Sequence, residues 1–407
     1  MKPAVVGALL VMTLSLAAMP VTTAEAASVT HEVQFAALTD GVDAEVIRAF
    51  PGSLRVHSGD LIHFTGNLSE AIPEAGVHGA AVLPKGESPA EWLPERATNL
   101  EGPWAAFVRD PDEQPDRVAE AWKIPNRVIF PSRPQCGATA DNPCEFDGTG
   151  DGDQGVLGSG MGWGLNSFLD FYVRVTAEPG TTLWALCPFH PAIRVRIDVV
   201  PEDEAVTTPE QLASRRDAAV AKYEKKAVAL HEDYVDARVG RQRADGSKVW
   251  QAWAGLEEGP IFLAGMYPKT LRVRAGDSVK WNFGRKEVHT VSFPLDTALQ
   301  TPWLTVKCDL DTDSGTAEDV DGAPAPPFCP GATTQVEFDL DHTFPLPIGN
   351  GAFAGSDDFE TSGLRGYGLP GLNNAPYRLR FRKASGAEGF TYACMLHYGM
   401  RGKIVVR

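Results

Sequence analysis

Beyond residue 26 the chain has no apolar run long enough to cross a bilayer, so no later segment is expected to span a membrane. Positive charge is scarce too: 37 Lys and Arg stand against 53 Asp and Glu, a formal net charge of −16. A surface that acidic repels nucleic acid and anionic lipid, and leaves a basic protein as the partner that electrostatics would steer. Cysteine is limited to six positions, and none closely follows the N-terminal apolar run, so lipid attachment on a cysteine there is not expected. Abundant glycine (40) and proline (31) work against long helices and favour turns and short strands.

What is present begins with a processing signal. Lys2 precedes an apolar run over residues 4–21, and Ala24-Glu25-Ala26 offers small residues where cleavage would fall. Residues 1–26 therefore read as a signal peptide and the protein as secreted or periplasmic, with an uncleaved membrane anchor as the alternative. Cleavage removes one Lys and one Glu, so the charge is unchanged. A chain of 407 residues with a 43% hydrophobic share has room for two domains with real cores.

Export permits disulfides. Cys136 with Cys144, and Cys308 with Cys329, are close in sequence within polar, Gly/Asp/Pro-rich stretches and are expected to pair there. Cys187 and Cys394 are then left over, and both stand in Cys-x2-His. A disulfide between those two is the alternative.

The chain repeats itself. Residues 50–60, from Phe50-Pro51 through Leu54-Arg55-Val56 to Gly59-Asp60, match residues 267–277, from Tyr267-Pro268 through Leu271-Arg272-Val273 to Gly276-Asp277, without a gap. His78 in the first copy is answered by His289 in the second, Ser159-Gly160 by Ser362-Gly363, and each copy ends in a strand running into Cys-x2-His. Short alternating strands with frequent turn signals predict an all-β protein of two antiparallel sandwiches, over 29–201 and 247–407. Between them, over 202–246, Thr208-Pro209-Glu210-Gln211 is a capping box with proline at the first helical position. Apolar residues from Leu212 to Tyr234 then recur at helical spacing, and Gly240 closes the run. The spacing predicts a helical linker of about eight turns at ~3.6 residues each, setting the distance between the two sandwiches or binding a partner.

The chemistry sits at the ends of the copies. Cys394, His397 and Met400 place a thiolate, an imidazole and a thioether on one short loop, and His289 supplies a second imidazole from another strand. Soft sulfur mixed with imidazole favours copper, and two His, one Cys and a weak axial Met describe a type 1 site. Cys-x2-His alone also serves zinc. In the first copy His78, Cys187 and His190 fill the same roles, with Ile193 where the second copy has Met400.

On these residues the chain resembles two cupredoxin domains in tandem, the plastocyanin and amicyanin family of blue copper proteins. The Cys-x2-His-x2-Met loop is similar to the short ligand loop of amicyanin. The resemblance implies Greek-key sandwiches, copper as cofactor at one or two per chain, and electron transfer with a redox protein partner. It also implies that His397 is the solvent-facing ligand, with Met395 and Tyr398 beside the partner surface. Ile193 departs from the four-ligand pattern. Either copper binds there in three-coordinate fashion, with a raised potential, or the first domain is a scaffold that has lost its metal.

Other features narrow the function. None of the nine histidines forms His-x-His, and neither ligand Cys has a neighbouring His, so the trinuclear cluster of copper oxidases and the paired sites of copper nitrite reductases are not expected. An enzyme completed by histidines across a subunit interface, and a module for copper storage, delivery or sensing, stand as alternatives to a carrier. His63 could support the first site from a neighbouring strand. The acidic stretches 147–153 and 309–313 place oxygen ligands at alternate positions, as calcium loops do, but neither continues into a complete calcium-binding loop.

Overall fold

The computed structural model describes residues 28–39, 41–42, 44–66, 78–89, 136–150, 155–159, 169–187, 190, 192–300, 304–309, 333–338, 348–355, 359–366, 375–397 and 399–407. The expected signal peptide, Cys329 and the Cys308 side chain, most of the two acidic stretches, His342 and Tyr398 lie outside them.

The chain is all-β apart from the helices Pro209–Tyr234 and Leu295–Gln300 among the described residues. Each half contributes five strands to one shared sheet, and these run outward from the junction in matching order. In the first half the order is Ala44–Phe50, Thr30–Leu38, Leu61–Gly66, Asp170–Val175 and Cys144–Phe146. In the second it is Ile261–Tyr267, Lys248–Glu258, Ser278–Phe283, Tyr377–Phe381 and Ala352–Phe353. A separate five-stranded sheet completes each half, again with equivalent strands in the same order. The duplication seen in the sequence is thus repeated in the pairing of these strands, while Gly240–Gln242 and two small two-stranded sheets in the second half have no counterpart among the described residues of the first.

The repeated Gly-Asp turns have a physical reason. Asp60 accepts hydrogen bonds from the backbone N–H groups of Val29 and His57 (2.9 and 2.8 Å) and pairs with His31 Nε2 at 3.0 Å. Asp277 accepts from the N–H groups of Lys248 and Arg274 (2.7 and 3.0 Å) and from Trp250 Nε1 at 3.0 Å. Each carboxylate therefore pins the first strand of its half to the turn before the parallel strand beside it, satisfying donors that would otherwise be left open. The preceding glycines, at φ of 98° and 94°, hold the left-handed conformation that the turn requires.

The halves are joined by strand pairing. Residues Ala44, Glu45 and Val46 pair antiparallel with Leu263, Phe262 and Ile261, so the shared sheet runs unbroken across both copies. Strand Ile261–Tyr267 is buried at every position, as a strand covered on both faces must be. One face meets the core. On the other lies the helix Pro209–Tyr234, which packs through Ala219, Val220, Tyr223, Ala227, Leu230 and Tyr234 onto residues of both halves. It starts in the expected capping box, with Thr208 Oγ1 accepting from Gln211 N and Gln211 Oε1 accepting from Thr208 N. It is a cover over the junction, held by Arg48 donating to Tyr223 Oη at 3.0 Å and by the Arg216–Glu32 ion pair, and not a rod between two separate bodies. Its end also differs from expectation: it stops at Tyr234, and Gly240 opens the short edge strand Gly240–Gln242.

A single apolar cluster runs through both halves, from Phe35 and Phe64 to Trp281, Phe293 and Phe381. In the first half Cys136 and Cys144 are disulfide-bonded, while Cys187 and Cys394 are free and buried. Among the described residues no helix is long and apolar enough to cross a membrane.

Ala227 is fully buried between helix and sheet. Ala227→Arg forces a charge and extra volume into that seam, and is expected to cost about 3 kcal/mol. Urea denaturation with tryptophan fluorescence checks this, and both halves should unfold in one transition at the lowered midpoint.

Candidate metal centres

Each centre is built where a sandwich closes. In the second half, Ser292–Phe293 and Phe390–Ala393 pair antiparallel and bring the segment after His289 beside Cys394. Val291 N–H donates to Ser362 Oγ at 2.8 Å, and Ser362 N–H returns a bond to Val291 O at 3.0 Å. In the first half Ala80 N–H donates to Ser159 Oγ, and Ser159 N–H to Ala80 O, both at 2.8 Å. The repeated serine thus clamps the chain two residues after His78 and His289. That fixes where each upstream imidazole lies.

The Cys-x2-His loops close identically. Cys187 N–H donates to Ile193 O at 2.9 Å and Cys394 N–H to Met400 O at 3.0 Å. His190 and His397 carbonyls accept from the N–H groups of Ile193 and Met400 at 2.7 and 2.8 Å. Ile193 and Met400 therefore occupy equivalent, fully buried positions.

These closures bring the sequence-predicted residues together as two buried sets, His78, Cys187 and His190, and His289, Cys394 and His397, with the donor atoms of each set within 4.8 Å of one another. In the first, His78 Nδ1 lies 3.1 Å from His190 Nδ1, and Cys187 Sγ lies 3.7 and 3.5 Å from the two. In the second, the Nδ1 atoms of His289 and His397 are 3.2 Å apart, and Cys394 Sγ is 3.5 Å from His397 Nδ1. Metal bonds of about 2.0–2.3 Å place donor atoms about 3.3–3.8 Å apart around one ion. Two imidazole nitrogens and one thiolate at these separations suit a single soft or borderline cation.

The surroundings differ between the sets. His78 Nε2 meets Glu45 Oε1 at 2.7 Å, and His190 Nε2 meets Glu287 Oε1 at 2.5 Å. Burial opposes protonation of both imidazoles, but Glu45 and then Cys187 push His78 up to about 9, and Glu287 and Cys187 hold His190 well above its ordinary value. Burial likewise opposes ionisation of Cys187, yet the hydrogen bonds and charge of His190 and His78 pull it down to about 5. When no metal is bound, these directions favour the thiolate form of Cys187 beside protonated imidazole.

In the second set His289 has no carboxylate. Its ring stacks on Phe262 with centroids 5.3 Å apart, and its Nε2 is buried without a hydrogen-bond partner. That nitrogen lies over Gly255, where a Cβ would stand 2.7 Å away. Burial, with the charge of His397, holds His289 well below its ordinary value. Cys394 is lowered, the charge and hydrogen bond of His397 outweighing burial, and Thr290 N–H donates to its Sγ at 3.3 Å.

Other expectations fare differently. His397 is 7% exposed and Met395 is fully buried, so neither is the solvent-facing residue that the resemblance implies, although Gly399 of the same loop is exposed. Glu45 of the first half is held low, burial being outweighed by the charge and hydrogen bond of His78 and by the charges of His190 and His397. His63 pairs with Asp170 at 2.7 Å and stacks on Tyr172, and these, not the ligand set, are its partners. Asp147 accepts from Thr149 N–H and Oγ1, closing its own turn. Glu45 and Glu287 were missed in the sequence. The one signal for Glu45 was a carboxylate inside the largely apolar strand Ala44–Phe50, at the position Phe262 holds in the second copy.

No protein-family model matches the chain, and no curated protein is significantly similar to it. Among solved structures, a multicopper oxidase titled mgLAC is 12% identical, covering 87% of this chain and 86% of that one, with a TM-score of 0.15. A blue copper oxidase from Nitrosomonas europaea is 10% identical over 87% and 86%, also at 0.15. A copper-containing nitrite reductase from Thermus scotoductus SA-01 is 11% identical over 93% of this chain and 61% of that one, at 0.14. Likeness this slight carries no argument, and the reading of the sites rests on their own geometry.

The pairing at the first set has a measurable sign. Its thiol pKa is depressed, so the thiolate is present above about pH 5 and lost as pH falls through that value. In metal-free Cys394→Ala protein, ultraviolet thiolate absorbance should persist at neutral pH and vanish on acidification through about pH 5. Cys187→Ser in the same background should show no such step.

Proposed function

We propose that the chain is an exported electron-transfer protein that binds copper at two sites, one in each half. A single observation carries this: two buried sets, each of two imidazole Nδ1 atoms and one cysteine sulfur, with the donor atoms of each set within 4.8 Å of one another. Copper held by the cysteine sulfur and the two imidazoles of each set would supply one-electron chemistry there.

The residues serve that task by holding still. Cys394 and His397 are locked by the Met400 hydrogen bonds, and His289 by the Ser362 clamp and the Phe262 ring, so the second set needs little rearrangement when charge changes. Burial excludes water as a competing ligand and lowers the local dielectric. Met400 would offer a further, weak thioether donor in the second site. Ile193 offers none in the first, which would favour the reduced form of a copper bound there. The net charge of −16 suits a basic redox partner.

Purified protein loaded with copper is expected to carry about two ions per chain, with intense thiolate-to-copper absorption in the visible and narrow copper hyperfine splitting by EPR. Cys187→Ala and Cys394→Ala should each remove one ion and its share of the colour. Met400→Ile should raise the second site's potential and keep the colour. A copper-loaded protein with no thiolate charge-transfer band would refute the reading.

A further inference from the structure

The imidazoles of the first set turn Nδ1 toward the sulfur and Nε2 toward a carboxylate, and the two carboxylates come from different halves of the chain. Glu45 lies on the junction strand Ala44–Phe50, 2% exposed, directly across from Phe262, the residue stacked on His289. Glu287 belongs to the second half, two residues before His289, yet its carboxylate is 2.5 Å from His190 Nε2 of the first half. Glu45 also lies within the electrostatic reach of His397. Both carboxylates thus stand between the two sets, where the strand pairing has placed them.

We infer that Glu45 and Glu287 are positioning residues that join the two metal centres into one coupled pair, with Glu287 making the first centre depend on the second half. The inference rests on the copper reading above. A carboxylate that accepts the Nε2 proton fixes the tautomer, leaves the Nδ1 lone pair free for a metal and raises the basicity of the ligand. The first centre has two such partners and no axial thioether. Anionic partners favour the oxidised form and the missing thioether favours the reduced form, so the carboxylates offset Ile193 and draw the two potentials together.

The same contact makes a route. From His190 it passes through one short hydrogen bond to the Glu287 carboxylate, then along the main chain through Val288 to His289. With both sites loaded, the route would connect them for one-electron exchange, one losing what the other gains, so no further reactant would be consumed. With His190 and His397 both buried, the pair would share charge internally.

The test uses the full chain with one centre kept at a time, Cys394→Ala for the first and Cys187→Ala for the second, and copper(I) competition against a chelator. Glu287→Ala should weaken the first centre about 10- to 100-fold, with Glu287→Asp recovering part of the loss, while the second centre stays within about twofold. Glu287→Gln can still accept the Nε2 proton but lacks the charge. It should raise the first centre's potential, by about 59 mV for each tenfold shift between the two oxidation states. With both centres loaded, Glu287→Ala should slow equilibration between them at least about tenfold after rapid reduction of one. If Glu287→Ala fails to fold, Glu45→Gln is read for the same rise in potential.

Unchanged affinity, potential and rate in these variants, with two coppers bound in the wild type, would overturn the coupling alone. A wild type that binds no copper would overturn the copper reading and the coupling together.

Discussion

The structure depends on three residue pairs. Ala44, Glu45 and Val46 meet Leu263, Phe262 and Ile261 across the junction, and their backbone hydrogen bonds turn two sandwiches into one continuous sheet. Strand pairing specifies register closely when both faces are buried, because a slip of one residue would turn every side chain over. Here the core covers one face and the helix the other, so Glu45 is locked opposite Phe262. Glu45 meets His78 of the first set and Phe262 stacks on His289 of the second, so both ligand sets border the junction.

Duplication followed by divergence accounts for the differences between the sets. The framework is kept: Asp60 and Asp277 pin equivalent turns, Ser159 and Ser362 clamp equivalent segments, and Ile193 and Met400 close equivalent loops. What changed is the chemistry around the donor atoms. The first set gained carboxylates at Glu45 and Glu287 and has an aliphatic side chain in place of the thioether. The second has an aromatic ring and a glycine against His289, and a backbone N–H on its sulfur. Removing a soft donor and adding anionic hydrogen-bond acceptors act in opposite directions on a bound cation, so the two sets are less unlike than their axial residues suggest.

Much of this was legible in the sequence. His289, Cys394 and His397 could be chosen because few chemistries use a thiolate, two imidazoles and a thioether at that spacing, and the repeat then pointed to His78, Cys187 and His190. The helix start was legible because a capping box is local, written within four residues from Thr208 to Gln211. The Cys136–Cys144 disulfide was legible for the same reason. The helix's task was not, since its apolar residues say only that one face is buried and not what they are buried against. Nor was the burial of His397, because exposure depends on what packs over a residue and not on the loop's own sequence.

The sequence by itself determined the all-β class, the duplication and the identity of the donor atoms, because each is set by local patterning or by the chemistry of single residues. Only the tertiary structure decided that both sets border the junction, that Glu45 serves His78 and that Glu287 reaches across to His190. Those contacts join residues far apart in the chain, and they follow from the strand register at the junction.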